Sequence, residues 1–305
     1  MSHRRAVLLM ILVTLLWSMA GVVSRHLESA RSFEVTFWRS IFNALALAVA
    51  LTALRGPRLW PGLLRAPPAV WASGLCWAVM YTAFMLALTL TTVANVLVII
   101  ALGPLMTALL ARLLLAQRQP LRTWAAILLA GIGVVWMFAR QLTDGVSLTG
   151  SVVALAVPLA AAFNWILLQA AGHRDATATG EGAVAPDMLP AILIGATLSA
   201  MATLPLAWPL QATSHDISLL GFLGVCQLAI PCLLVVRLSR VLSAAEISLL
   251  GLLELVFGVA LVWLGANEVP SRDTLIGATL VVAALLLNEL LTLPPRNQPA
   301  GRPRN

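Results

Sequence analysis

Apolar runs of about 20 residues, interrupted by arginine, proline or short polar clusters, recur along the whole chain. They predict ten helices, at approximately 6–24, 35–54, 70–90, 93–115, 122–140, 149–171, 187–207, 216–236, 246–264 and 273–292. The third and fourth runs meet at Thr89–Thr92 with almost no loop. A single helix of about 45 residues is far too long for one crossing of a ~30 Å hydrocarbon core, so a tight turn is expected there.

The pattern also repeats. Residues 92–136 return in degenerate form as 243–287, a register that sets Asn95 against Glu246, Gly103 against Glu254, Gln117 against Glu268 and Ala126 against Gly277. Each copy is an apolar span, a polar hairpin and a second apolar span. The first hairpin carries Arg118 and Arg122 beside Gln117 and Gln119; the second carries Asn267, Glu268 and Asp273 against Arg272. Five helices per half is an odd number, so the second half must cross the membrane in the opposite sense. The expected organisation is an all-α integral membrane protein of two inverted five-helix repeats, 1–145 and 146–295, with a disordered cytoplasmic tail at 296–305.

Composition makes the membrane reading firm. With 60% hydrophobic residues, 10% charged residues and a mean hydropathy of +0.95, the 305 residues hold too little charge to cover a soluble fold, which takes about a quarter of its residues. The net charge of +7 comes entirely from arginines. They lie in short loops rather than in a basic patch interleaved with aromatics, so nucleic acid is not an expected partner. Their distribution sets orientation. With the N-terminus in the cytoplasm, fourteen fall on the inner side: Arg4, Arg5, Arg55, Arg58, Arg65, Arg112, Arg118, Arg122, Arg174, Arg237, Arg240, Arg296, Arg302 and Arg304. Four, Arg25, Arg31, Arg140 and Arg272, fall outside, and Arg39 lies within a span. Both termini are therefore expected on the cytoplasmic side of the membrane. The first apolar run is about 19 residues long and lacks a small-x-small cleavage site, so it reads as a retained helix rather than a signal peptide. Cys76, Cys226 and Cys232 sit in apolar spans at no metal-ligand spacing.

Enzyme chemistry finds no motif here. HExxH, GxSxG, a P-loop lysine and paired intramembrane aspartates are all missing from the sequence, so no catalysis, cofactor or metal is expected. What remains is a set of polar and aromatic residues at membrane depth. Arg39, costing about 2.5–3.5 kcal/mol within a span, either snorkels to the outer interface beside Trp38 or faces a cavity, where it would meet a substrate carboxylate. Glu254, near the middle of the ninth span, is either a protonated or hydrogen-bonded packing residue or a contact for a proton or a substrate amine. Asn43, Asn95 and Asn164 need partners that lipid does not supply. Trp17, Trp77, Tyr81, Phe163 and Trp165 lie well inside their spans, whereas Trp38, Trp60, Trp71, Trp124 and Trp208 lie near span ends, as interfacial anchors do. A cavity lined by the mid-span aromatics, Asn43, Asn95, Asn164 and Glu254 would suit a flat amphipathic solute. Gly103-Pro104 is the hinge candidate in the fourth span.

The segments LLWSMAGVVSR, FWRSIFNALAL, ALTLTTVANVLVIIALGPLMTALLARLLLAQR and AAEISLLGLLELVFGVALVWLGANEVPSRDTLIGATLVVAAL resemble the drug/metabolite transporter superfamily, and within it the ten-helix EamA-type exporters. The likeness runs from about Val7 to Leu291 and is strongest to the aromatic amino acid exporters of bacterial inner membranes. Where such exporters often carry Glu-Pro in the ninth helix, this chain has Glu254-Leu255, and Gln117 stands where a glutamate is common. The resemblance implies a secondary transporter exporting aromatic or hydrophobic amino acids and related metabolites by alternating access, as a monomer or weak homodimer in the lipid bilayer. A multidrug or nucleobase exporter of the same family, and a non-carrier pore or sensor, are the alternatives.

Overall fold

The computed structural model describes residues 1–30, 32–138, 147–177, 186–266 and 269–290, and every element among them is helical. In chain order these are α1 (His3–Ser24), α2 (Ser32–Arg55), α3 (Leu59–Leu64), α4 (Pro68–Leu90), α5 (Val93–Ile100), α6 (Gly103–Leu114), α7 (Leu121–Phe138), α8 (Leu148–Thr177), α9 (Leu189–Ala207) and α10 (Ser214–Phe222). A π-helical segment, Leu223–Ala229, leads into α11 (Ile230–Leu238), followed by α12 (Ala244–Gly251), α13 (Leu253–Ala266) and α14 (Arg272–Leu290). Nine spans among the described residues are long and apolar enough to cross a membrane; α14, with 19 residues, lies along α7 in addition to them. Leucines and valines such as Leu8, Val49 and Leu113 are exposed around the outside, as a lipid-facing surface requires. Arg31, Arg140, Asn267, Glu268 and the 296–305 tail lie outside the described residues.

Three predicted spans are not single helices. The fourth breaks at Ala101 and Leu102, because Pro104 has no N–H to give the carbonyl of Ile100, and Gly103-Pro104 instead opens α6 with proline in its first turn. The ninth breaks at Leu252, 151 positions after Ala101, without a proline; Gly251, about 1 kcal/mol worse than alanine in a helix, is the weak helix former there. The Glu254-Leu255 departure therefore does not remove the interruption. The eighth widens into the π segment just before Pro231, whose missing N–H would otherwise leave the carbonyl of Gln227 unpaired in an α-helix. The tight turn at Thr89–Thr92 is present: α4 ends at Leu90, Thr91 is extended, and the Thr92 side chain caps α5 by accepting from the Asn95 N–H.

That cap has a counterpart. Ser243, 151 positions after Thr92, caps α12 by accepting from the Glu246 N–H, and the Glu246 carboxylate completes a capping box. Packing follows the same register. α4 packs on α8 and α9, while the α10–π–α11 helix packs on α1 and α2; α5 and α6 pack on α8, while α12 and α13 pack on α1. α7 and α14 cross at Gly133 and Gly277, so closely that a Cβ on Gly133 would stand 2.7 Å from the Gly277 carbonyl oxygen. Core between the helices is filled largely by alanine, leucine, isoleucine and valine, with Trp77 and Trp165 among them.

Candidate functional site

α1, α2, α4, the π segment, α11 and α13 bring their polar side chains together midway along the bundle. Arg39 on α2 donates from Nη2 to Gln227 Oε1 at 3.0 Å, and Gln227 Nε2 donates to the Trp17 carbonyl at 3.1 Å. The Tyr81 hydroxyl lies 3.3 Å from Cys232 Sγ. Glu254, in the first turn of α13, lies in the same neighbourhood as Arg39 and Cys232. Arg39 Nε, Asn43 Oδ1 and Asn43 Nδ2 are buried without a hydrogen-bond partner. Buried polar atoms are seldom left so, and here three of them stand within one group of residues.

An aromatic wall adjoins this polar group. The Trp77 ring contacts Tyr81 at 5.7 Å between centroids and meets Trp165 edge-on at 5.6 Å and 82°. Asn164, fully buried beside Trp165 in sequence, accepts from the Ser73 hydroxyl at 2.6 Å, and both its Nδ2 and the Trp77 Nε1 have no partner. Ser199 accepts from the Ser40 and Thr82 hydroxyls, each at 3.1 Å, tying α2, α4 and α9 together next to this site.

Trp17, Arg39, Asn43, Trp77, Tyr81, Asn164, Trp165 and Glu254 are thus drawn towards one region. Two sequence candidates stand apart from it. Asn95 sits at the α4–α5 turn, where its amide donates to Thr91 and Ser151 hydroxyls, because the first residues of a helix need caps and close polar partners. Phe163 points outward and is 40% exposed, one helical step away from the inward-facing Asn164. Gly103 and Pro104 are buried at the start of α6, where Gly103 faces Ser248 and Pro158.

Gln227 was not among the sequence candidates, although a signal for it exists. Gly74-Leu75-Cys76-Trp77 returns 150 positions later as Gly224-Val225-Cys226-Gln227, and Pro231 follows four residues on. Both glycines serve close helix contact: a Cβ on Gly224 would stand 2.8 Å from the Arg39 carbonyl oxygen. Gln227 thus stands 150 positions after Trp77 in a similar local sequence, one residue short of the 151-position spacing of the caps.

Polar contacts hold both ends of the bundle around this region. At the end away from the termini, Asp216 accepts from the backbone N–H groups of Glu28, Ser29 and Ala30 at 2.8 to 3.0 Å, and Glu34 from those of Gln211 and Ala212. At the end bearing the termini, Gln169 bridges Gln117 Oε1 and the Ala244 N–H, Arg55 pairs with Asp187, and His3 lies 3.8 Å from Glu246 and 3.6 Å from Glu289. A vestibule of about 410 Å³ opens there, lined by Arg118, Gln169, Arg240 and Glu246 among others.

Residues 4–139 match the EamA-like transporter family. The chain is 26% identical over 277 residues to an S-adenosylmethionine uptake transporter of Rickettsia prowazekii (strain Madrid E), covering 88% of this chain and 87% of that protein. A protein of known crystal structure superposes with a TM-score of 0.76 over 95% of this chain and 98% of the other; at 19% identity this shows the fold alone.

Proposed function

We propose that the chain, whose residues 4–139 match the EamA-like transporter family, is a secondary carrier for solutes that join an α-amino-acid head to a flat apolar group. Aromatic amino acids are the leading case. The observation that carries this reading is the adjacency of Arg39 and Glu254 to the Trp77–Tyr81–Trp165 wall, with buried polar atoms of Arg39 and Asn43 lacking partners. A guanidinium receives a carboxylate, a carboxylate receives an ammonium, and rings stack on the remainder.

Carriage by alternating access needs a central site and two closures. The polar contacts at either end supply the closures, and the paired caps and helix interruptions 151 positions apart support two halves, 1–145 and 146–295, related by an inverted repeat. With the arginine-rich loops inside, both termini face the cytoplasm of a bacterial inner membrane. Net flow through such a carrier follows its gradients. A monomer holds the whole site.

S-adenosylmethionine is a second reading, favoured by the named activity of the Rickettsia relative and by the site's chemistry. It has the same head, a sulfonium that Glu254 would face, and an adenine ring in place of a benzene or indole. Reconstituted liposomes distinguish these. We expect saturable uptake of labelled phenylalanine or tryptophan, blocked by the unlabelled compound. Saturable uptake of S-adenosylmethionine alone would establish the second reading, and preference for a nucleobase or a cationic dye lacking an amino-acid head would overturn both.

A further inference from the structure

The guanidinium of Arg39 is only half used. Its Nε and Nη2 form one side of a planar fork that matches the two oxygens of a carboxylate. Gln227 gives that fork a single neutral oxygen, at Nη2 and 3.0 Å, while Nε is buried with no partner. An amide carbonyl offers one oxygen, so it cannot do more from that position. A carboxylate presents two and adds charge to both bonds.

We propose that Gln227 is a positioning residue that holds Arg39 in the empty carrier and yields the guanidinium to the substrate carboxylate. The proposal rests on the amino-acid reading of the site above. Gln227 is built for this placement. Its Nε2 is anchored to the Trp17 carbonyl, Gly224 brings the π segment against the backbone of Arg39 and Asn43, and Pro231 keeps the segment from closing into a regular α-helix. Because Arg39 lies in the first half and Gln227 in the second, the exchange releases one hydrogen bond between the halves at the moment substrate binds. Substrate thereby replaces a contact that ties α2 to the π segment, as a carrier requires if an occupied site is to rearrange more readily than an empty one.

Gln227→Glu tests this with little change of shape. A glutamate supplies its own second oxygen and charge to the fork and competes with the substrate carboxylate, but not with an amide. The readout is the ratio of KM for phenylalaninamide to KM for phenylalanine, measured as uptake into liposomes. We expect Gln227→Glu to reduce that ratio at least tenfold relative to the unmodified protein, and Gln227→Met, which cannot compete, to keep it within threefold. Equal KM changes for both substrates in Gln227→Glu would overturn the proposal, since a structural role affects them alike. Loss of the ratio in Gln227→Met would also overturn it, by showing that Gln227 orients Arg39 without exchanging places. Monodisperse elution of both variants in detergent establishes that they fold. If the unmodified protein transports no amino-acid-like solute, the failure belongs to the functional reading and not to Gln227.

Discussion

At Trp77, ring packing and polar satisfaction pull apart: the ring is 2% exposed and wedged between Tyr81 and Trp165, yet its indole N–H has no partner. A tryptophan whose sole task was to fill space would, on replacement by phenylalanine, lose stability to the cavity left behind without losing recognition. One that serves a solute would lose recognition. Trp77→Phe is expected to raise KM for aromatic substrates at least fivefold in liposome uptake while the protein still elutes as a single species; unchanged KM would make the ring a packing element. Glu254 is tested through the amine. Glu254→Gln is expected to raise KM for phenylalanine about tenfold and to leave N-acetylphenylalanine, which has no ammonium, within twofold of the unmodified protein. An equal rise for both would remove Glu254 from substrate contact. Residues of this kind were legible in sequence because a charge, an amide or a tryptophan at membrane depth has a cost that demands a reason. Their partners were not. Nothing in the spacing of Asn95 separates a cap from a cavity residue, and Phe163 and Asn164 are neighbours whose opposite directions depend on how α8 is rotated. Gln227 was hidden because glutamine in an apolar run carries no charge to draw attention; only the returning G-x-C-x pattern marks it.

Among the elements, the interruptions matter most. Pro104 stands at the break in the fourth span and Pro231 at the end of the π segment in the eighth, yet Pro158 and Pro205 sit inside unbroken α8 and α9, so a missing N–H does not by itself decide where a span is interrupted. The break at Leu252 could not be read that way, because Gly251 is a mild perturbation and the interruption coincides with the crossing against α1 and α6. The short α3, LWPGLL, lies in a loop too brief to show periodicity. Close helix contacts were partly legible. Gly131 and Gly133 look alike in sequence, but only Gly133 meets a facing backbone, whereas Gly131 has nothing within 4 Å of an added Cβ. Gly224→Ala and Gly133→Ala are therefore expected to lower the thermal midpoint in detergent, by roughly 1–3 kcal/mol of overpacking, while Gly131→Ala leaves it in place. Equal effects at Gly131 and Gly133 would contradict the contact between α7 and α14. Gly224→Ala carries a second consequence, because displacing the π segment from α2 separates Gln227 from Arg39.

For the whole molecule, polar contacts gather at both ends of the bundle, where the proposed carriage requires closures. Asp216 gathers three backbone N–H groups of the loop between α1 and α2, so Asp216→Ala leaves all three without that acceptor. In a background with Cys76→Ser and Cys226→Ser, Asp216→Ala is expected to speed labelling of Cys232 by a membrane-impermeant thiol reagent added outside, and phenylalanine to slow it. Unchanged labelling would mean that this contact does not close the outer path. The arginine distribution and the 151-residue spacing of the two caps and the two helix interruptions carry the proposed orientation and repeat, because charge bias and duplication survive sequence drift better than any single motif. Carrier action itself is tested most directly by counterflow. Liposomes containing the protein and loaded with unlabelled phenylalanine are expected to accumulate labelled phenylalanine transiently above its outside concentration, with saturable initial rates. Uptake that rises linearly with concentration and ignores the internal load would contradict the account.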